Sequence, residues 1–400
     1  MTAVDTRVSD ASLDSVREVL ELDHVESHLH TTPSYSLVDH PTPNGREEGW
    51  RFTPLKRLGG LLEKGTDPGT LEWAQQLPAG VSVTMITPEQ AIALGGIAPY
   101  DRLGAVAADD VTEVMLIDVP AETVLEEPIR FTGTGASAEH YVPDWVVVRI
   151  GRHAKATIVR EYAGNARYNA LQQVLVGDGA NLEFIVIADW DSAAVHAEQR
   201  NILVGRDATV RSVEVTLGGD LVRTTTNVRY AAAGGSYVGL GLYFADAGQH
   251  FEHRLFVDHT APKTRSNVVY KGALQGAKAH TVWVGNVLIR KVAEGIETYE
   301  ENRNLILTDG AQADSVPNLE IETGEIEGAG HASATGRFDD EQLFYLRSRG
   351  ISETEARRLV VHGFFNDLIR QIGVPELEDK LTATVEAELA QHLHVEGSRG

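Results

Sequence analysis

Between about residues 141 and 326 the apolar positions fall in short runs of Val, Ile, Thr and aromatic residues, separated by Gly, Ala, Asp and Asn. No run there keeps helical spacing for the length of a helix, so the pattern predicts strands and turns. Turn-like pairs stand ahead of the strand patterns: His153-Ala154, Gly179-Ala180, Asp207-Ala208, Gly235-Ser236, Gly276-Ala277 and Gly310-Ala311. Their second members give intervals of 26, 28 and 28 residues, then 41 and 34, and the last two predict inserted loops. Each interval holds two strand patterns, such as Leu171 to Val176 with Leu182 to Ala188, and Asn201 to Val204 with Val210 to Leu217. A fixed period built from strands alone predicts a solenoid, in which each coil buries its apolar face on its neighbours. An antiparallel sandwich with turns every roughly 8 to 12 residues fits the same spacing. Val213, Val215 and Leu217 alternate with Ser212, Glu214 and Thr216, which predicts one inward and one outward face.

The flanks differ. Leu13, Val16, Val19, Leu20 and Leu22 recur at helix-like spacing, and residues 1–95 read as a mostly helical N-terminal region, with a Pro-rich turn from Thr32 to Pro43. Trp50 and Phe52 beside the Thr53-Pro54 step read as a chain reversal docked on a core. Residues 96–338 form the β core in this division, and 339–400 a C-terminal helical region. There, Asp339 or Asp340 can cap a helix ending at Gly350, and Ser352 with Glu355 makes a capping box for a helix running to Ile372 and Gly373. Leu377, Leu381, Val385, Leu389 and Leu393 mark a third.

Composition narrows the chemistry. A chain that is 42% apolar and 23% charged is that of a soluble globular protein, and 58 acidic against 35 basic residues, a net charge of -23, argue against nucleic acid or an anionic membrane as partner. The N-terminus lacks the basic and apolar regions of a signal peptide, and no stretch has the apolar length of a membrane span, so a cytoplasmic location is expected. Cysteine is absent from all 400 residues, which removes disulfides, thiol nucleophiles and any self-contained thiolate metal site.

Gly133-x-Gly135-x-x-Ala138 has the form of a dinucleotide fingerprint, but it leads into the strand-like Trp145 to Val148 instead of a helix, and reads as a loop. His250, His253 and His259 lie close in sequence, with His280 further on; on a strand His250 and His253 face opposite sides and cannot chelate together. Asp309, Asp314, Asp339 and Asp340 offer a carboxylate pair of the kind a β-helical carbohydrate-active hydrolase would use, although turn and helix-start roles explain them more economically. His331 sits in Gly328-Ala329-Gly330-His331-Ala332-Ser333-Ala334-Thr335-Gly336, where small neighbours leave an imidazole accessible, at the change from strands to helices.

The block from Glu300 to Gly350, ending in Asp339-Asp340-Glu341-Gln342-Leu343-Phe344-Tyr345-Leu346-Arg347-Ser348-Arg349-Gly350, closely resembles the signature region of the SufB/SufD family, scaffold proteins of the SUF iron-sulfur cluster assembly system. Arg254 to Pro262, Ser266, Tyr270 to Leu274, Glu301 to Leu305 and Pro317 to Ile321 extend the likeness. The resemblance implies a mainly β protein, a right-handed parallel β-helix core with helical N-terminal and C-terminal regions. It implies a scaffold, not an enzyme, that pairs with a SufB-like subunit and docks a SufC-type ABC ATPase through its C-terminal helices; a homodimer of the isolated chain is a further expectation. Asp340, Gln342, Phe344, Tyr345, Arg347, Arg349, Phe364 and Phe365 are the expected partner-binding residues. Family members commonly carry a cysteine two residues before the histidine matched by His331, where this chain has Ala329. A Cys-free chain is therefore expected to be SufD-like. It would bind no cofactor alone, and His331 would contribute, as a metal ligand or by shaping the contact, to a transient iron-sulfur cluster shared with the SufB-like partner.

Overall fold

The computed structural model describes residues 29–65, 68–338 and 340–371, with Asp379 and Ala383. The chain divides into two compact units, Met1–Thr32 and Pro33–Gly400, and the architecture below is that of the second. The helical spacing at Leu13 to Leu22, the stripe from Leu377 to Leu393, and Asp339 lie outside the described residues.

Long parallel strands start the core. β1 (Glu72–Gln76) lies antiparallel on the first half of β4 (Ile129–Ile150), and β2 (Ser82–Ile86) lies antiparallel on β3 (Val114–Val119), which joins the second half of β4 in parallel. β4 then pairs in parallel with β5 (Lys155–Val176), with one register shift between Ala136 and Tyr141. From β5 onward the chain coils. Its first half continues through β6 (Asn181–Ala188), β8 (Thr209–Thr216), β10 (Ser236–Ala245), β12 (Arg265–Leu274), β14 (Glu297–Ile306) and β16 (Gly328–Arg337). Its second half continues through β7 (Val195–Val204), β9 (Leu221–Tyr230), β11 (His250–His259), β13 (His280–Ile289) and β15 (Gln312–Ile321). Every pairing in these two rows is parallel, which makes the core a β-solenoid and excludes the sandwich.

The turns explain the period. At one corner Glu122, His153, Gly179, Asp207, Gly234, Lys263 and Gly295 all take left-handed φ values between 52° and 82°. Each donates its N–H over 2.6–3.2 Å to a carbonyl one coil further on, those of Arg152, Asp178, Arg206, Ala233, Pro262, Glu294 and Glu325. A side chain in this region is strained by roughly 1–2 kcal/mol. The repeated backbone bond offsets that strain and fixes where each coil turns. Gly276 and Gly310 belong to the opposite corner, where Gly248 and Lys278 donate to Ala277 and Gly310. The 41-residue interval therefore spans a change of corner, not an inserted loop. Coils do lengthen along the chain: side-chain bonds between neighbouring coils join residues 26 apart at Asn227 and Asn201, and 32 apart at Asn318 and Asn286.

Both faces of most strands are covered, so alternation does not separate core from solvent. Val213, Val215 and Leu217 face outward, in one apolar cluster with the C-terminal helix, while Glu214 and Thr216 face the lumen, bonded to Tyr270 and His253. Apolar residues thus lie outside and polar ones inside, the reverse of the usual arrangement. The lumen is filled by Tyr162, Tyr168, Phe184, Tyr237, Tyr243, Phe251 and Trp283, all buried. Gly133 and Gly135, expected in a loop, lie within β4, and the carbonyl of Asn165 sits where a side chain on Gly135 would begin.

Residues 29–95 are less helical than their spacing suggests: the described part holds two 3-10 turns, at Leu37–Asp39 and Leu55–Leu58, strands β1 and β2, and one short helix, α1 (Pro88–Ala93). Tertiary packing decides this region. Trp50 stacks under Arg223, with the guanidinium 4.3 Å from its ring, Thr53 Oγ1 donates to Glu252 (2.7 Å), and Arg57 binds Asp220 and the Gly248 carbonyl. The expected chain reversal is thus a strap bonded to the outer face of β9 and β11. α2 (Arg102–Asp110) covers the same face nearer β5, with Asn169 Nδ2 donating to the Leu103 carbonyl.

α3 (Asp340–Ser348) is followed by Gly350 at φ 84°. α4 (Glu353–Ile369) is capped by Ser352, whose side chain accepts from the Glu355 N–H, one half of the expected capping box; the Glu355 carboxylate takes the Arg358 guanidinium instead. α4 lays Val361, Phe365, Leu368 and Ile369 on the outward apolar row.

Candidate functional site

The two rows end at β15 and β16, whose outer edges pair with no further described strand. Inward positions follow from contacts. Ala329 packs on the lumenal core, and Thr335 accepts from Asn304 (3.4 Å), so Ala329, His331, Ser333 and Thr335 form the lumenal row of β16. His331 is exposed, with no described coil beyond it, and it is aligned in register with Glu300 on β14. The imidazole therefore stands at the rim of the open lumen, one coil above a carboxylate.

Glu300 is unusual. It is 1% exposed, and neither carboxylate oxygen has a hydrogen-bond partner. Burial alone pushes its pKa up to about 8. Below it in register is Val268; across the lumen, a Cβ on Gly285 would meet Trp283 and come within 2.5 Å of Glu300 Oε2, so the missing side chain makes room for both. Trp283 Nε1 and Ser315 Oγ, on registered positions of β13 and β15, are also buried without partners. Sequence reading missed Glu300 because nothing local marks it. The 31-residue coil that puts it beneath His331 is not among the intervals read from the turn pairs.

Deeper in the lumen several polar side chains bond one another, although Tyr237 Oη and Glu214 Oε1 are buried without a partner. Asn302 donates to Tyr243 Oη (2.8 Å), and Tyr243 to Asn304 (2.6 Å); Tyr270 donates to Glu214 (3.0 Å); Tyr162 and Gln172 donate to Glu198 (3.2 and 2.6 Å), which also pairs with Arg200. Burial alone would raise the Glu198 pKa, but Arg200, with His196 and Arg160, outweighs it and holds the group at about 2. His259 is enclosed by Thr264 (2.7 Å) and Ser266 (3.1 Å), and burial lowers its pKa to about 3. His253 faces the lumen and His250 faces outward against His280, so these histidines do not converge on one point.

The expected docking residues separate. Phe344 and Tyr345 are 75% and 56% exposed, and Arg347 and Arg349 are exposed with them, the Arg349 guanidinium 5.1 Å from the Tyr345 ring centre. Phe365 is not available to a partner: it is fully buried and anchors α4 on the solenoid. Phe364 is half-buried beneath Lys271, whose Nζ donates to the Phe364 carbonyl and to Asp367 (2.6 Å). Asp340 begins α3 and Gln342 lies within it. Of the carboxylates on which the hydrolase alternative drew, Asp309 is bound by Arg337, and Asp314 by His280 (2.7 Å) and Gln312.

The described residues thus form a parallel β-solenoid with an open end, an accessible histidine at its rim and exposed aromatic residues on an appended helix. The sequence profile described as SUF system FeS cluster assembly, SufBD core domain, matches residues 131–364. A SufBD family iron-sulfur cluster assembly protein of Mycobacterium tuberculosis is 49% identical over 365 residues, covering 89% of this chain and 91% of its own length. The iron-sulfur cluster assembly protein SufD of Bacillus subtilis is 25% identical over 298 residues, 72% of this chain and 67% of that protein. SufB of the same organism is 27% identical over 212 residues, 53% and 45% of the two chains. The chain belongs to the SufBD family of iron-sulfur cluster assembly proteins. As cargo, a cluster fits this chain only in part: the open end offers the accessible imidazole of His331, and the sequence holds no cysteine to supply a thiolate.

Proposed function

We propose that this chain is the SufD-like subunit of a cytoplasmic iron-sulfur cluster assembly scaffold, pairing through the open end of its solenoid with a SufB-like subunit and docking a SufC-type ATPase on α3 and α4. The observation that carries the reading is the open end itself, where His331 is accessible and no cysteine exists in the chain to complete a cluster site. The thiolates then come from the partner, and this chain supplies an imidazole. The exposed Phe344 and Tyr345 support the ATPase dock, and α4, fixed to the solenoid by Phe365 and Lys271, would pass nucleotide-driven movement to the scaffold. Such movement needs two arrangements of the subunit contact that nucleotide binds unequally.

Co-expression with SufB-like and SufC-type proteins tests this. The three are expected to co-purify; a chain that stays apart from both overturns the reading. His331→Ala is expected to leave the complex assembled while activity of cluster-dependent enzymes in cells falls at least several-fold. Unchanged activity removes His331 from the mechanism.

A further inference from the structure

We propose that Glu300 is a second metal-binding residue, holding a ferrous ion at the open end of the solenoid together with His331. The inference rests on the SufD-like reading and adds to it a residue and the form in which iron is held. A buried carboxylate whose two oxygens both lack partners is costly unless something compensates it. No neighbouring group does so: the register neighbour below is Val268, and Asn302 on the same strand is committed to Tyr243 and the Tyr270 carbonyl. The opening lies above, where His331 is one coil away on the same face. Registered neighbours in adjacent parallel strands lie about 4.8 Å apart, which suits two side chains meeting at one ion.

The donor set selects the ion. One imidazole and one carboxylate, with no thiolate, suit ferrous iron among the metals cluster assembly consumes. Trp283 Nε1, a donor without a partner, and the unpartnered Ser315 Oγ occupy registered positions of the last two coils and can bond water that completes the coordination. The partial vacancy of the set is consistent with cargo that must leave: two protein ligands retain an ion loosely enough for a partner's thiolates to take it.

Anaerobic equilibrium dialysis of the full-length chain against ferrous ion alone is the test. One ion per chain is expected, with affinity weakened at least tenfold in both Glu300→Gln and His331→Ala. The Gln variant is nearly isosteric; should it fail to fold, Glu300→Asp takes its place, with weakened binding expected because the carboxylate retreats from the rim. Binding equal to wild type in a folded Glu300 variant overturns the proposal, as does a wild-type chain that binds no iron. Either result with co-purification intact leaves the SufD-like reading standing, whereas loss of co-purification removes both.

Discussion

His259 carries its hydrogen bonds as a neutral ring between two hydroxyls and stacks on Tyr230, so its proton has no place in the folded state. Its folded pKa, about 3, lies below that of an unfolded histidine, and between those values the unfolded chain binds the extra proton. The stabilisation is therefore complete above about pH 6.5 and is lost as pH falls toward 3. Urea unfolding is expected to show a loss of roughly 2 kcal/mol from this group between pH 6.5 and 5. His250 and His253, also lowered by burial, add to the slope, and His259→Gln is expected to reduce it. A wild-type slope that survives unchanged in the variant would contradict this. Glu198 acts in a separate window, keeping its contribution above about pH 4.5 and losing it only as pH falls toward 2. At this scale the sequence was half legible. It separated His250 from His253 by strand parity, and it marked His331 by its small neighbours. It could not mark Glu300, whose significance arises only when one coil is laid on the next.

Secondary elements were legible where local chemistry decides them and illegible where packing does. The Ser352 cap and the glycine stop at Gly350 are local and stand where the residues put them. The alternation of β8 indicates two faces but not which is the lumen, because both are buried, the outer one within an apolar cluster that α4 joins; a strand covered on both sides loses the contrast on which such readings depend. The strap from Trp50 to Thr53 was recognisable as a reversal, whereas its partners Arg223 and Glu252 lie far along the chain. α4 depends on a few contacts, and Phe365 is the largest buried side chain among them. Phe365→Ala is expected to cost about 3–5 kcal/mol in the stability of the helix docking. Hydrogen exchange should then rise throughout α4 while β6 and β8 remain protected. Equal loss in all three would show that helix and solenoid open as one unit.

Across the whole unit, stability is largely a sum over stacked neighbours, since every coil pairs its strands with those of the coils before and after it, and lumenal bonds such as Tyr243 to Asn304 add links across two coils. That explains why a period could suggest a solenoid without any long-range pairing being known, although the period left the sandwich open and the family resemblance decided between them. It also explains what the period concealed: two corners with similar glycine-bearing turns alias into one irregular series. The family comparison and the coil count agree because the matched region, residues 131–364, spans the coils from β4 onward and reaches into α4.

The left-handed corner residues, from Glu122 to Gly295, acquire a further meaning if the molecule is treated as a mechanical object. Their shared backbone bonds form a seam parallel to the axis, so load applied along the chain meets each coil's bonds in turn instead of all together. Pulled from its C-terminal end, the solenoid is expected to lengthen in a regular series of extension steps in single-molecule force spectroscopy. With 26 to 32 residues per coil, each step should release roughly 90–110 Å of contour. A single all-or-none rip would mean that the lumen, not the seam, sets the strength. The same seam makes the protein a ratchet for length: extra residues enter at the corners, one coil at a time, without disturbing the coils already wound.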